Sequence, residues 1–292
     1  MGENTSHNEP RDSATVVMMR EADGAPFEIF FVRRHAKSSF MANAHVFPGG
    51  RLDEEDCSDV IALHGRGFLP QDLAARLDVE EKTAIGLHVA AIREVFEESG
   101  ALYATESSGD PIDLASEDGR DRYETYRVML QDGEVDFEQI VGWEDLCLRF
   151  DELTYFARWI TPEFESKRYD ARFFLAKAPD NQRLIHDDKE TTDSAWYSPA
   201  QALKAYEAGE IQLAPPTKHI LEHLSTFESI DAAIAYFSET EIPTVRPQPE
   251  SVDGVLTLLF PGDPAYPDQE ALGVHGATRY TLQDGKWTAP NG

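Results

Sequence analysis

Short apolar runs separated by turn residues dominate the first fifty positions. Ala14–Met19 and Phe27–Val32 are two such runs, and the small and acidic residues between them are typical of a tight turn, so they predict a β-hairpin. A third run, His45–Phe47, predicts a short strand that ends at a Pro-Gly-Gly sequence. Residues 1–12 offer nothing apolar to bury, and we expect them to form a disordered tail.

Downstream, helical and extended patterns alternate. Leu87–Ser99 has helical composition, and Gly100 is well placed to end that helix. Further helices are predicted over Arg120–Leu130, Phe137–Leu148, Ala200–Ala208, Pro215–Leu224 and Asp231–Ser238, and further strands over Ala101–Thr105, Leu153–Ile160, Ala171–Ala176, Ala195–Tyr197, Val255–Phe260 and Thr278–Leu282. The alternation indicates an α/β fold followed by a β-rich extension.

The charge balance narrows the function. The 292 residues include 54 acidic and 26 basic side chains, a formal net charge of -28, which disfavours binding to nucleic acid or to an anionic membrane. A small phosphate compound can still bind if divalent cations bridge the like charges. Two cysteines are too few for a disulfide framework, no apolar run has the ~18 residues of a membrane span, and no signal peptide is visible, so we expect a cytoplasmic protein.

One helix face carries the strongest chemical signal. Glu94, Glu97 and Glu98 are spaced i, i+3 and i+4, so they share a face of the predicted helix. Such a face is either a solvated acidic surface or a site for a hard divalent cation, whose preferred ligands are carboxylate oxygens. Arg93, four residues before Glu97, is placed to pair with it and hold that carboxylate in position.

These residues resemble the Nudix box, Gx5Ex7REUxEExGU, in which U is a bulky aliphatic residue. Gly50 matches the opening glycine, and Arg93 to Gly100 match REUxEExG residue for residue. Asp56 stands where the box has its first glutamate, and 36 residues rather than seven separate it from Arg93. Ala101 stands where the final aliphatic residue belongs. The extra length falls in a connecting loop, where added residues raise the closure entropy only slowly.

The split box is similar to that of the Nudix subfamily of acyl-coenzyme A diphosphatases, which carry a long insertion at this point. The segments 39–50, 156–162 and 196–203 also resemble that subfamily. An upstream pattern of coenzyme A-directed Nudix enzymes, LLTxRSxxxRxxxGxxxFPGG, is matched by Phe30, Phe31, Arg34 and the FPGG sequence at 47–50. Ser39 and Asn43 replace its second arginine and its glycine.

The resemblance implies a fold and a chemistry. It implies an α/β/α sandwich around a mixed sheet over residues 13–227, with helical insertions at about 57–85 and 106–150, and a small β-rich extension over 228–292. It also implies hydrolysis of the diphosphate in a small nucleoside diphosphate derivative such as coenzyme A. The implied residues are Gly49, Glu94, Glu97 and Glu98 as ligands of Mg2+ or Mn2+, Arg93 as their orienting residue, and Arg34 as a substrate contact. The general base is either a box glutamate or an acid from a later loop, where Glu190 is the candidate.

Other interpretations stay open at this point. The substrate could instead be ADP-ribose, a dinucleotide or a nucleotide sugar, and a Nudix domain can also serve as a ligand sensor without catalysis. The intact Arg93–Glu98 set argues against a sensor, whereas Asp56 argues mildly for one. His35, His45, His88 and Trp159 are interpreted as structural. The sequence does not decide whether the chain forms a homodimer.

Overall fold

The computed structural model describes residues 9–35, 43–114, 116–180, 182, 184, 191–252 and 254–289. Its strands are β1 (Arg11–Ala22), β2 (Ala25–Arg34), β3 (His45–Val46), β4 (Gly49–Arg51), β5 (Gly65–Arg66), β6 (Ala104–Glu106), β7 (Leu146–Arg149), β8 (Thr154–Ile160), β9 (Tyr169–Lys177), β10 (Thr191–Tyr197), β11 (Thr244–Val245), β12 (Gln248–Val252), β13 (Val255–Leu259), β14 (Arg279–Gln283) and β15 (Lys286–Thr288). Its helices are α1 (Asp59–Ala62), α2 (Pro70–Leu77), α3 (Glu81–Ser99), α4 (Glu117–Gln131), α5 (Phe137–Trp143), α6 (Pro199–Ala208), α7 (Pro215–Leu224) and α8 (Ile230–Glu239), with 3-10 turns at Glu55–Cys57 and Phe150–Glu152.

A mixed sheet in the order β10-β2-β1-β9-β8-β11 forms the centre of the molecule. β1 pairs with β9 and β8 with β11 in parallel, whereas the other neighbours on this path are antiparallel. Alternate residues of each strand face opposite sides. Val16 and Met18 join the core that contains α3, and Val17 and Met19 join the core that contains α6, α7 and α8. This layered arrangement confirms the predicted α/β/α sandwich.

The glycine-containing segment is wedged into this sheet between β1 and β2. β3 pairs with the end of β2 through Val32–Val46 and Arg33–His45, and β4 pairs with the start of β1. The backbone N–H of Val16 donates to the carbonyl of Pro48 at 2.8 Å. Backbone hydrogen bonds to β1 and β2 therefore hold the Pro-Gly-Gly sequence in place, directly beside α3.

Several predicted boundaries were wrong. β1 begins at Arg11, so the tail predicted over residues 1–12 extends two residues too far. α3 begins at Glu81 and not at Leu87, because Glu81–Gly86 continue the helix out of the predicted insertion. The predicted helix over Phe137–Leu148 ends at Trp143, and Leu146–Arg149 form strand β7 because they pair with β6. That pairing also moves the strand predicted at Ala101–Thr105 to Ala104–Glu106.

The insertions and the C-terminal region pack onto the sandwich. The two insertions meet in a three-stranded sheet in the order β5-β7-β6, and α2 packs against α3. In the C-terminal region β11 joins the central sheet, and β12 to β15 form a separate antiparallel sheet whose Phe260 and Tyr280 belong to the second core. Among the described residues, no helix is both long enough and apolar enough to span a membrane.

Candidate active site

Helix α3 presents its glutamates to the glycine turn. The helix ends at Gly100, which adopts a left-handed conformation (φ 75°) and donates its N–H to the carbonyl of Phe96. Its apolar residues fill the first core, which fixes the rotation of the helix about its axis. That rotation places Glu94 and Glu98 against β4: Glu98 is buried and Glu94 keeps 15% of its side chain exposed.

Space requires glycine at position 49, and at position 50 a side chain would displace the carboxylate of Glu94. A Cβ on Gly49 would lie 2.4 Å from the carbonyl oxygen of Ala14, and a Cβ on Gly50 would lie 2.3 Å from Oε1 of Glu94. The backbone N–H of Gly49 donates to Oε2 of Glu98 at 3.0 Å. Because neither glycine has a side chain, the backbone of the turn comes close to the carboxylates of Glu94 and Glu98. Such an approach is needed if a backbone atom of the turn and the two carboxylates are to bind the same metal ion.

Arg93 organises the acidic residues around it. Its Nε and Nη2 each donate to a carboxylate oxygen of Asp56 at 2.8 Å, which makes a bidentate pair. Its Nη1 donates at 2.9 Å to Glu94 and to Glu97, and Nη2 also donates to the carbonyl of Arg51. Asp56 thus pairs with Arg93 although 36 residues separate them in sequence. The insertion between the two residues leaves their contact intact.

Burial and like charges shape the electrostatics of this cluster. Burial raises the pKa of Glu94 to about 7, against the attraction of Arg93 and together with repulsion from Glu97 and Asp56. Burial acts to lower the pKa of Arg93, but its hydrogen bonds to Asp56 and the adjacent glutamates hold that pKa well above the ordinary value. The guanidinium of Arg93 is therefore always charged. The positive charge near Glu94 does not offset the effect of burial, so this carboxyl group loses its proton at a higher pH than an exposed glutamate does.

Two residues that the sequence did not single out hold the end of α3. The carbonyl of Glu97 lies in the last turn of the helix, where carbonyls have no partner within the helix. It accepts hydrogen bonds from Nε of Arg127 at 2.8 Å and from Nε2 of Gln131 at 2.7 Å, both on α4. Arg127 is buried. The second insertion therefore caps the helix beside Glu97 and Glu98, a contact between distant segments that has no local sequence signal.

The oxygen donors here suit a hard divalent cation. Glu94, Glu97 and Glu98 supply carboxylates, and the glycine turn supplies backbone oxygens, which are the ligands that Mg2+ and Mn2+ prefer. Within the described ranges no three His, Cys, Asp or Glu side chains are gathered as a formed metal site. The reason is that Glu94 and Glu97 accept from Arg93, and Glu98 accepts from Gly49.

The other predicted residues lie in different settings. Arg34 ends β2 on the face of Phe30 and Val32, which is the face covered by α3, and its N–H donates to the carbonyl of Ala44. Glu190 lies outside the described residues. His88 is buried in α3, where its ring nitrogen Nδ1 is 2.8 Å from the carbonyl of Ala84, and Trp159 is buried in the second core.

Comparison with known proteins agrees with this geometry. The sequence profile of the family described as "NUDT19 Nudix domain" matches residues 65–224, more than half of the chain. The chain is 26% identical over 282 residues to a Xenopus laevis protein named acyl-coenzyme A diphosphatase NUDT19, covering 84% of this chain and 73% of that protein. The protein of the same name from Gallus gallus is 28% identical over 309 residues, covering 88% and 80% of the two chains.

A solved structure shows the same fold. The crystal structure of a NUDIX hydrolase from Alicyclobacillus acidocaldarius superposes with a TM-score of 0.65 at 24% sequence identity, covering 80% of this chain and 100% of that one. The family match, the split box closed by Asp56 and Arg93, and the sandwich around it all agree. The chain therefore belongs to the family described as the NUDT19 Nudix domain and is a Nudix hydrolase, an enzyme that acts on diphosphate bonds.

Proposed function

We propose that this enzyme hydrolyses the diphosphate of coenzyme A or of its acyl esters, with Mg2+ or Mn2+ as cofactor. The products are 3′,5′-ADP and a 4′-phosphopantetheine compound. The relatives from Xenopus laevis and Gallus gallus are named acyl-coenzyme A diphosphatases, and the similarity to them extends over most of the chain.

The single observation that carries the proposal is the meeting of α3 with the glycine turn. Two glutamates reach backbone atoms of Gly49 and Gly50, and Arg93 secures Glu94 and Glu97 through the same guanidinium that binds Asp56. A metal ion would have to draw these carboxylates from their present partners, Arg93 and the N–H of Gly49, by side-chain rotation, while the helix and the turn that carry them are already in place. This set of carboxylates is also unlike a solvated acidic surface, where side chains remain separately hydrated.

The chain's own residues divide the work. Glu94, Glu97, Glu98 and the carbonyl of Gly49 would hold the metal, which supplies charge neutralisation of the diphosphate and a more acidic bound water. Arg93 stays protonated and keeps the glutamates oriented. Asp56 keeps Arg93 in place. Glu190 is our candidate general base. Proton removal by that carboxylate, or by a box glutamate, requires its ionised form, so activity should rise toward alkaline pH.

The segment before the glycine turn supports coenzyme A as the substrate. Arg34 stands on the α3 face of β2, where a substrate phosphate would approach the glutamates. Asn43 has a φ of 62°, in the left-handed region that glycine and asparagine enter most readily. Asparagine can therefore take the place of the pattern's glycine without strain. Ser39 lies outside the described residues.

A substrate panel tests the proposal. Purified enzyme with Mn2+ is assayed against coenzyme A, an acyl-coenzyme A, ADP-ribose and NADH, with kcat/KM as the readout. We expect coenzyme A or its ester to be preferred, and EDTA to abolish turnover. A tenfold or greater preference for ADP-ribose or NADH would overturn the coenzyme A assignment while leaving a diphosphatase.

A variant pair tests the metal ligands. Glu98→Gln keeps the shape of the side chain and its acceptor for Gly49 but removes one anionic ligand, so we expect kcat/KM to fall about a hundredfold or more. Glu81→Gln removes the same charge from the exposed first turn of α3 and should leave kcat/KM unchanged. Equal activity of the two variants would refute the assignment of Glu98.

A further inference from the structure

A cavity of about 300 Å3 lies between the sandwich and the C-terminal region, on the side of the central sheet opposite to α3. Its lining comes from β8, α7 and α8, and from the segments 240–245 and 272–275. Phe156 and Trp159 are buried residues of the second core that line its interior, whereas Leu272 lines it from an exposed position. The cavity therefore reaches solvent and has an apolar interior, as small-molecule sites commonly do.

Three histidines line the cavity beside these aromatic residues. His219 and His223 lie one turn apart on α7, and the ring of His275 stacks on that of His223 with the ring centroids 4.2 Å apart and the planes 6° apart. Nδ1 of His219 lies 3.5 Å from the hydroxyl oxygen of Tyr280. His223 has no hydrogen-bond partner within the described residues, and its ring nitrogens are not fully buried, so a molecule in the cavity can reach them.

The electrostatics of the cavity favour a neutral molecule. Burial is the main cause of a lowered pKa at His219 and at His223, about 4 for both, and the nearby His275 contributes to each shift. Both imidazoles are therefore uncharged at neutral pH, and each then offers one N–H donor and one acceptor nitrogen. Glu241 lines the cavity from an exposed position, and the chain has a formal net charge of -28, so an anion is repelled.

We propose that this cavity binds a neutral aromatic molecule of one or two rings, with an N–H or O–H group that donates to a ring nitrogen of His223. The volume sets the size, because an apolar cavity of about 150 Å3 binds benzene and this one has twice that volume. The inference does not depend on the proposed function, since the cavity and the glutamates of α3 lie on opposite sides of the sheet.

The aromatic residues around His223 support an aromatic ligand. The ring of His223 meets Phe237 at 76° with centroids 5.1 Å apart, and Tyr236 at 82° with centroids 5.9 Å apart. Edge-to-face contacts of this kind are the arrangement that aromatic rings prefer. A further ring in the cavity can pack against the same side chains in the same way, while its polar group reaches the imidazole nitrogen.

A set of four related compounds tests the site. Titration calorimetry measures the affinity of the full-length enzyme for indole, for indene, which has the same shape without the N–H, for the anion indole-3-acetate and for the cation tryptamine. We expect indole to bind about three- to tenfold more tightly than indene, although a purely apolar cavity would favour indene. The two charged compounds should bind more weakly than indole. Failure of indole to bind, or a preference for indene or for either charged compound, would overturn the proposal.

Three variants locate the binding in this cavity. His223→Phe keeps a ring in place but removes the acceptor nitrogen, so it should abolish the preference for indole over indene. Ala157→Leu extends a side chain into the cavity and should lower the affinity for indole at least tenfold, whereas Ala232→Leu makes the same change at an exposed position of α8 and should leave it unchanged. Thermal unfolding verifies that each variant is folded. An unaltered preference in His223→Phe, or an unaltered affinity in folded Ala157→Leu, would overturn the proposal.

Discussion

Two of the buried charge clusters among the described residues differ in their charge balance. The Arg93 cluster consists of Asp56, Arg93, Glu94, Glu97 and Glu98, one cation against four carboxylates. The Arg172 cluster consists of Asp12, Arg158, Asp170 and Arg172, two cations against two carboxylates, with Arg158 bidentate on Asp170 and Arg172 2.6 Å from Asp12. A third carboxylate, Asp78, lies 3.5 Å from Arg158 but is exposed to solvent and is not counted with the buried set. Both are rich in hydrogen bonds, yet only the second is neutral.

The difference separates a structural cluster from the proposed metal site. The balanced set joins β1, β8 and β9, and its opposite charges offset the desolvation that burial imposes. Burial raises the pKa of Glu94 to about 7, and the excess of negative charge in the Arg93 cluster adds to that rise through repulsion from Glu97 and Asp56. Protein stability alone does not favour that excess, whereas a divalent cation would neutralise it.

The largest expected effect comes from breaking the balanced cluster. Asp170→Ala removes the carboxylate shared by Arg158 and Arg172 and leaves two buried cations with one close carboxylate, Asp12, which should lower the free energy of unfolding by about 3 kcal/mol. Urea denaturation measures the loss. The kcat/KM of the remaining folded enzyme should stay within about twofold, because the cluster does not touch the glutamates.

The matched change in the other cluster is Asp56→Ala. It removes the bidentate partner of Arg93 and should lower both stability and kcat/KM, since the same arginine orients Glu94 and Glu97. Full activity in Asp56→Ala would show that the position of Arg93 does not depend on its partner. Activity lost equally in Asp170→Ala would remove the distinction between the clusters.

Metal addition should sharpen the comparison further. Mn2+ at a hundred times its Kd should stabilise the native enzyme by about 2.7 kcal/mol, because it binds the folded state. Thermal unfolding with and without Mn2+ measures the shift. The shift should persist in Asp170→Ala, be weakened in Glu98→Gln, and be absent when Mn2+ is chelated. An undiminished shift in Glu98→Gln would place the metal elsewhere.

A smaller effect is expected at the cap on α3. Arg127→Gln removes one of the two donors to the carbonyl of Glu97, which should lower stability by about 1–3 kcal/mol and weaken Mn2+ binding. Isothermal titration with Mn2+ measures the second change. Arg122→Gln, on the same helix but half exposed, is the control and should alter neither quantity. Unchanged Mn2+ affinity in Arg127→Gln would limit α4 to a structural role.

The smallest effect concerns a buried side chain in α3 outside both clusters. Burial lowers the pKa of His88 to about 4, against an ordinary value of 6.5. Between these values the unfolded chain binds the proton and the folded chain does not, so stability falls as pH drops from 6.5 toward 4. His88 alone should contribute a loss of ~1.4 kcal/mol at pH 5.5 relative to neutral pH. Denaturation at both pH values should show a shallower dependence in His88→Leu; an unchanged dependence would assign it to other groups.

The sequence predicted what is local and missed what is distant. The spacing of Glu94, Glu97 and Glu98 and the adjacent glycines describe consecutive residues, and the structure places them as a helix face and a turn. Asp56 could be listed as a departure from the box, but its pairing with Arg93 depends on how the intervening residues fold. The cap by Arg127 and Gln131 joins segments about thirty residues apart and follows no short pattern.

The C-terminal region shows the same limit. Two of its strands, β13 and β14, were predicted from apolar runs, but β12 and β15 were not. The pairing of Thr244 and Val245 with β8 could not be predicted either, because a two-residue strand has almost no signal of its own. Likewise the segment Leu146–Arg149 is too short for the spacing of its apolar residues to distinguish a strand from a helix. It forms a strand because it pairs with β6.

Gly50 and the insertion after Asp56 differ in how many added atoms the site accommodates at each position. The backbone of Gly50 is not in the left-handed region, so alanine would fit the main chain, yet one added methyl group would overlap the carboxylate of Glu94. A few residues later the family's box accommodates 29 extra positions between Asp56 and Arg93, because loop length changes closure entropy only slowly. The inserted positions therefore fold as α1, β5 and α2 without breaking the pair of Asp56 and Arg93, whereas a single methyl group at Gly50 would push the carboxylate of Glu94 out of its place.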